Sequence, residues 1–343
     1  MKLYIILNGF DIMENIKGGM DLNLLPRSYL VLANQYEALL RRLTTIHPKR
    51  DRIKDHLETE KAGYWGETRM DYHLDFLPNK EYWMFNGLRL IQDGKAFQID
   101  TLVLHRNFGV IVETKNMGGT LVFDKSNQLI RIKDGREEGF QDPIAQAKRQ
   151  RWQLQRWLHA HKFPEIPLEY LVAIGKPLTI LKIDQDSLLE KILHVIHIPE
   201  KILELEKRYC ESALSHYYLE KLSRSLIADN TPRISDVLSY YSISKDEIRR
   251  GVQCPKCFAL PMVRSKASWL CPHCRTLSKK AHQQAIQDYL LLIEPTITKQ
   301  KCREFLLLES RNLAYKFMQT MDLCAVGSGK GVVYSGLTHK MKK

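Results

Sequence analysis

The chain has 343 residues, more than one average domain, so two or three independently folded regions are expected. Its 44% hydrophobic and 27% charged content excludes a mainly disordered protein. Lys and Arg outnumber Asp and Glu by 52 to 39, which favours a polyanionic partner such as nucleic acid.

That basic excess is concentrated at the end of the chain, where residues 251–343 hold 15 basic against 5 acidic side chains. The opening MKLYIIL is too short for a signal peptide or a membrane span, so a cytoplasmic protein without a membrane partner is expected. Residues 1–25, with Gly18-Gly19 and little apolar pattern, read as a loose extension. Helical periodicity then covers Ser28 to Leu43 and Arg50 to Phe76, the second run weakened at Gly63 and Gly66 and ended by Pro78-Asn79. YWMFNGLRLI, AFQIDTLVL, FGVIVETKN and TLVFD are strands, rich in aromatic and β-branched residues. DPIAQAKRQRWQLQRWLHAH is a helix with Asp142 as N-cap and Pro143 at its first position. LEYLVAI and HVIHI read as short strands, and residues 201–250 as a helical connector.

The hairpin of residues 96–116 carries unexpected charge. If its turn centres on Arg106-Asn107, His105 pairs with Phe108 and Asp100 falls opposite Glu113. Directly paired side chains share a face, and two adjacent carboxylates repel unless a proton or cation lies between them. Lys115, two residues beyond Glu113, points the same way. Oxygen ligands suit a hard divalent ion such as Mg²⁺ or Mn²⁺, which activates water and offsets charge on a phosphoryl oxygen. The competing reading is a surface hairpin whose polar half is solvated. Trp83, Tyr82, Trp152 and Trp157 read as packing residues in preference to base-stacking ones.

The run GYWGE, FLP, YWMFNGLRL, FQIDTLVL, FGVIVETKN and DPIAQAKRQ resembles the NERD (nuclease-related) domain, a branch of the PD-(D/E)xK nuclease superfamily, over about residues 60–180. The resemblance implies an α/β restriction-endonuclease-like core, a mixed sheet flanked by helices. It implies that Asp100 and Glu113 bind the metal together with the Thr114 carbonyl, and that Lys115 closes the signature. It also implies that Glu67 approaches the metal from an early helix, although a helix-capping role competes, and that Gln146 holds water or phosphate. No proline precedes Asp100, a departure common in that superfamily.

Cys254, Cys257, Cys271 and Cys274 form two Cys-x2-Cys pairs, the spacing of a structural zinc ribbon. Four thiolates leave no open position, so this metal is expected to fold the module. Beyond it, three helices and a glycine-rich hairpin read as an α+β winged helix-turn-helix. Ser310 caps a recognition helix that offers Arg311, Asn312 and Lys316 to DNA, with Lys330 on the wing. VGSGKG departs from the P-loop template at Cys324 and Gly331.

The expected organisation is therefore an extension and helix at 1–50, a nuclease-like domain at 51–200, the connector at 201–250, a zinc ribbon at 251–277 and a winged-helix module at 278–343. The expected function is Mg²⁺- or Mn²⁺-dependent hydrolysis of DNA phosphodiesters, targeted by the basic tail. The alternative is a non-enzymatic DNA-binding or regulatory protein that retains the nuclease fold.

Overall fold

The computed structural model describes residues 23–27, 31–78, 81–125, 128–231, 235–321, 323–327 and 331–335. The described residues divide into two compact units, one built from those in 31–60 and 235–335, the other from those in 23–27 and 61–231.

In chain order, strand β1 (Asn23–Leu25) precedes helices α1 (Val31–Arg42) and α2 (Arg50–Leu74). Strands β2 (Trp83–Gln92), β3 (Lys95–Leu104), β4 (Gly109–Lys115), β5 (Thr120–Phe123), β6 (Leu129–Lys133) and β7 (Arg136–Phe140) follow, then α3 (Pro143–Ala160) and β8 (Leu168–Ile174). Next come β9 (Ile180–Ile183), a short α4 (Asp186–Leu189), β10 (Ile192–His194), α5 (Ile198–Arg208) and α6 (His216–Asp229). The remainder is α7 (Val237–Tyr241), β11 (Val263–Ser265), β12 (Ser268–Leu270), β13 (Leu277–Ser278), α8 (Ala281–Leu292), β14 (Thr296–Ile297), α9 (Lys299–Leu306), α10 (Arg311–Gln319), β15 (Cys324–Val326) and β16 (Val333–Ser335).

The larger unit is mixed α/β. Its main sheet runs β1-β2-β3-β4-β8-β10, antiparallel from β2 to β4 and parallel at β1–β2, β4–β8 and β8–β10. Both faces are covered. On one, Leu102, Ile111, Val172 and Ile174 pack with Ala147, Leu154 and Trp157 of α3 and Leu222 and Leu226 of α6. On the other, Val103, Val110, Val112 and Leu171 pack with Met70 and Leu74 of α2 and Ile202 and Leu205 of α5. The hairpin therefore has no solvated face of the kind its alternating polar residues allow, because strands sandwiched between helices need apolar residues on both sides.

Several expectations change. Asn23–Leu25, in the stretch that reads as a loose extension, adds a parallel edge strand to β2. HVIHI is not a strand; only His194 ends β10, and a 3₁₀ turn over Val195–His197 leads into α5, with proline in its first turn. Residues 201–250 do not stand apart as a connector, since α5 and α6 bury leucines and isoleucines on opposite faces of the sheet. A second sheet, β7-β6-β5-β9, adds β6, β7 and β9 to the expected strands. The β6–β7 turn does carry a local signal: Asp134 and Gly135 both have positive φ, as the favoured two-residue hairpin turns require. Gly66 does not interrupt α2; a side chain there would collide with Asn116, and one on Gly175 would come within 3.2 Å of the Gly66 Cα. The absence of side chains lets the helix backbone lie against the end of the sheet.

The other unit has one core among the described residues, shared by Leu39 of α1 and Leu43 just after it, Ile53 and Leu57 of α2, Cys254, Cys271 and Trp269, and Ile286, Phe305 and Phe317 of α8 to α10. Arg41 and Arg42 both bond the Asp288 carboxylate, the Arg42–Asp288 pair being fully buried. Three short strands, β11-β12-β13, carry the cysteine region, and β14-β16-β15 closes the last three helices. Among the described residues, no helix is long and apolar enough to cross a membrane.

Candidate metal centre

The β3–β4 ladder pairs Leu104 with Gly109 and runs to Thr101 with Val112. One more step sets Asp100 beside Glu113, the register expected from the turn. Asp100 itself stands at a gap. The β2–β3 ladder pairs Asn86 with Thr101 and Leu88 with Ile99, and Gly87, across from Asp100, has φ +63, a conformation that costs glycine little and other residues much. With both ladders broken at this point, the Asp100 carboxylate turns across the sheet and accepts the Thr114 amide at 3.0 Å.

Glu113 is buried, 2% exposed, and each oxygen has a donor. Lys115 Nζ donates to Oε1 at 2.6 Å and Gln150 Nε2 to Oε2 at 2.8 Å. The lysine also donates to Gln146 Oε1 at 3.1 Å. Gln146 and Gln150 are one turn apart on α3, whose start is set by Asp142 accepting from the Ile144 and Ala145 amides. The helix cap legible in the sequence therefore fixes the phase of the two glutamines.

Glu67 lies well inside α2, which rules out the capping role and leaves it facing the other acids. Burial, then the Asp100 charge, pushes its carboxyl up to about 7 against the pull of Arg27. The same two causes, burial first, push Glu113 up to about 7 despite Lys115 and Gln150. Burial also raises Asp100, opposed by the Thr114 amide, Lys115 and Arg27. Three carboxyls in one place are thus each penalised for ionising, the state in which an added cation is favoured.

The structure adds residues that no spacing announces. Arg27, two residues beyond β1, donates from Nε and Nη2 to the two oxygens of Asp71, both at 2.9 Å, and from Nη1 to Glu67. It also reaches the Asp100 carbonyl at 3.3 Å, Asn86 Oδ1 at 3.2 Å and Thr101 Oγ1 at 3.0 Å. The only sequence signal for Gln150 is its place one turn after Gln146.

The donor set fits a hard divalent cation: the charged ligands are carboxylates, and Thr114 Oγ1 and Gln150 Oε1 are buried oxygens without a hydrogen-bond partner among the described residues. Glu67, Asp100 and Glu113 do not form a set whose oxygens all lie within 4.8 Å of one another, a spacing that the four cysteines and the group Glu81, His105 and Glu206 do meet. Protein cations take the close positions, Lys115 on Glu113 and Arg27 on Glu67. The His105 group is at the turn end of the hairpin, away from Asp100. His105 Nδ1 accepts the Asn107 amide at 3.3 Å, so a neutral ring keeps its proton on Nε2, which faces Glu81 at 3.9 Å. That tautomer offers no lone pair to a metal.

Residues 62–175 match the family model of the nuclease-related domain, NERD. The matched stretch holds Glu67, Asp71, Asp100, Glu113, Lys115, Gln146 and Gln150, and the NERD region extends from the second half of α2 to the end of β8. Arg27 lies outside it. No curated protein matches the chain, and no solved structure does.

In the other unit, Cys254 and Cys274 sulfurs are 3.5 Å apart, as are those of Cys257 and Cys271. The two Cys-x2-Cys turns are built alike. Phe258 and Arg275, each following a second cysteine, have φ near +60 and donate their amides to the carbonyls of Cys254 and Cys271, both at 3.0 Å. Hydrogen bonding with Thr276 holds the Cys274 thiol down to about 6. This Cys₄ cluster could hold a metal ion and is compatible with structural zinc.

Of the remaining candidates, Arg311, Asn312 and Lys316 are all exposed on α10, whose Ser310 cap accepts the Leu313 amide. Lys330 lies outside the described residues. Tyr82, Trp83 and Trp157 are buried as packing residues should be, whereas Trp152 is exposed under the Arg156 guanidinium.

Proposed function

We propose that the NERD region hydrolyses phosphodiester bonds of DNA with a Mg²⁺ or Mn²⁺ ion. The observation that carries this reading is the cluster of buried Glu113 with half-buried Glu67 and Asp100, each carboxyl raised by desolvation, with Lys115 on the sheet face of Glu113. Asp100, Glu113 and the Thr114 carbonyl would hold the ion, and Glu67 would add a carboxylate from the α2 side. When bound, such an ion supplies Lewis-acid stabilisation of charge on a phosphoryl oxygen and makes water acidic enough to attack. Lys115 Nζ uses two of its three donors on Glu113 and Gln146, which leaves the third for the attacking water or a phosphate oxygen. Gln146 thereby orients the lysine, and Gln150 fixes the second oxygen of Glu113.

The cysteine cluster is a zinc ribbon in this reading, and helices α8 to α10 with the β14-β16-β15 sheet form a winged helix. The order helix, strand, helix, helix, hairpin supports that reading, as does the row Arg311, Asn312 and Lys316 on α10. This basic region grips DNA chiefly through phosphate contacts.

The test is incubation of the purified full chain with linear, circular and single-stranded DNA plus Mg²⁺ or Mn²⁺, beside Asp100→Ala and Lys115→Ala. Cleavage by the parent chain alone is expected. No cleavage, or equal cleavage by the variants, refutes catalysis and leaves a DNA-binding protein that retains the fold.

A further inference from the structure

Four carboxylates crowd the end of the main sheet: Glu67 and Asp71 one turn apart on α2, Asp100 on β3 and Glu113 on β4. Two fixed protein cations oppose them, Arg27 and Lys115. With every group ionised, two negative charges remain, the charge of one divalent cation and half that of two.

Arg27 is not a loose counter-ion. Its side chain is 6% exposed, and its Nε, Nη1 and Nη2 all donate, to Asp71 twice, Glu67, Asn86, Thr101 and the Asp100 carbonyl. The five N–H groups of a planar guanidinium are thereby all accounted for, and a bidentate fork of this kind is rigid as well as strong. The acceptors come from three separate segments, α2, β2 and β3, beside the β1 segment that carries the arginine. A mobile plug would have few partners. Arg27 has the surroundings of a permanent fitting.

We propose that Arg27 is a built-in replacement for a second metal ion. Its guanidinium occupies the cation position between Glu67, Asp71 and the Asp100 backbone, so that the centre takes a single divalent cation on the Asp100–Glu113 side. Arg27 is a positioning residue: it neutralises Asp71, holds Glu67 at the edge of the centre, and fixes the strand backbone at Asp100. The proposal rests on the metal-centre reading above. Its stoichiometry is separate from whether the centre cuts.

The experiment counts Mn²⁺ bound by the full chain, after the cysteine cluster has been saturated with zinc, by calorimetric titration and electron paramagnetic resonance. Parent, Arg27→Gln, Arg27→Lys and Asp100→Asn chains are compared. The expected parent result is one equivalent of Mn²⁺ with the resolved hyperfine pattern of an isolated ion. Arg27→Lys, which keeps the charge, also takes one equivalent. Arg27→Gln takes a second, and the two ions couple, broadening and weakening the signal. Two equivalents in the parent chain, or an unchanged single equivalent in a folded Arg27→Gln chain, overturns the proposal. Should Arg27→Gln fail to fold, the parent and Arg27→Lys counts decide alone: one equivalent in both upholds it and two in either overturns it. Absence of Mn²⁺ binding to the parent, or binding undiminished in Asp100→Asn, instead sinks the metal-centre reading.

Discussion

Replacing Asp100 with asparagine is expected to stabilise the metal-free protein at alkaline pH. Glu113 ordinarily ionises near 4.5 and is pushed up to about 7 in the folded chain, by burial first and by the Asp100 charge second. A displacement of that size, at roughly 1.4 kcal/mol for each step of one in pH, makes holding the ionised carboxylate above neutrality cost about 3 kcal/mol. The sign follows from proton counting. Between about 4.5 and 7 the folded state keeps a proton that the unfolded chain releases, so the stability present below 4.5 is lost as pH rises through 7. Asparagine removes the Asp100 charge yet keeps an oxygen for the Thr114 amide. The charge is the second cause and not the first, so relief on the order of 1–2 kcal/mol is expected. For a folded region of this size that is roughly 2–8 °C in its melting transition. Differential scanning calorimetry at pH 5 and pH 8, on zinc-saturated protein without added Mg²⁺ or Mn²⁺, measures it. Asp100→Asn should melt higher than the parent at pH 8 and lose most of that advantage at pH 5. With excess Mn²⁺ the order should reverse, because only the parent gains ligand stabilisation. A variant that melts lower than the parent at pH 8 without divalent ions, or an advantage independent of pH, refutes the claim of mutual repulsion.

Gly66→Ala should lower the melting temperature of the same unit by several degrees, an overpacking cost of about 1–3 kcal/mol, because its side chain would strike Asn116; DNA cleavage should fall with it although no site atom has changed. Cys254→Ser should lose the metal bound in the cysteine cluster and destabilise the core that holds Cys254, Cys271 and Trp269, seen as zinc content and near-ultraviolet circular dichroism; unchanged zinc content speaks against the Cys₄ site. Arg311→Ala with Lys316→Ala should weaken DNA binding by the full chain and flatten its salt dependence by about two phosphate contacts, measured by fluorescence anisotropy from low to high salt; an unaltered slope places the DNA grip elsewhere.

What local patterns encode is legible in the residues. The register of the β3–β4 hairpin follows from its turn, and that register alone sets Asp100, Glu113 and Lys115 together. Asp142, Thr298 and Ser310 accept amides at the starts of their helices, since N-capping is a matter of three or four consecutive residues. The cysteine pairs likewise announce a cluster through spacing alone. The β6–β7 hairpin is obscured because its strands read Leu-Ile-Arg-Ile-Lys and Arg-Glu-Glu-Gly-Phe, where charge masks the apolar alternation that marks a strand.

The sequence by itself thus determined which side chains of the hairpin share a face: Asp100, Glu113 and Lys115. Only the tertiary structure decided the electrostatic balance. Arg27 meets Glu67 across 40 residues of chain and Asp100 across 73, and no periodicity reports a contact of that range. Gly87 shows no strain in the sequence, yet its left-handed backbone opposite Asp100 breaks the ladder where the carboxylate must leave it. Side-chain direction along a strand is set by a two-residue repeat, whereas burial and net charge depend on which distant segments close over the site.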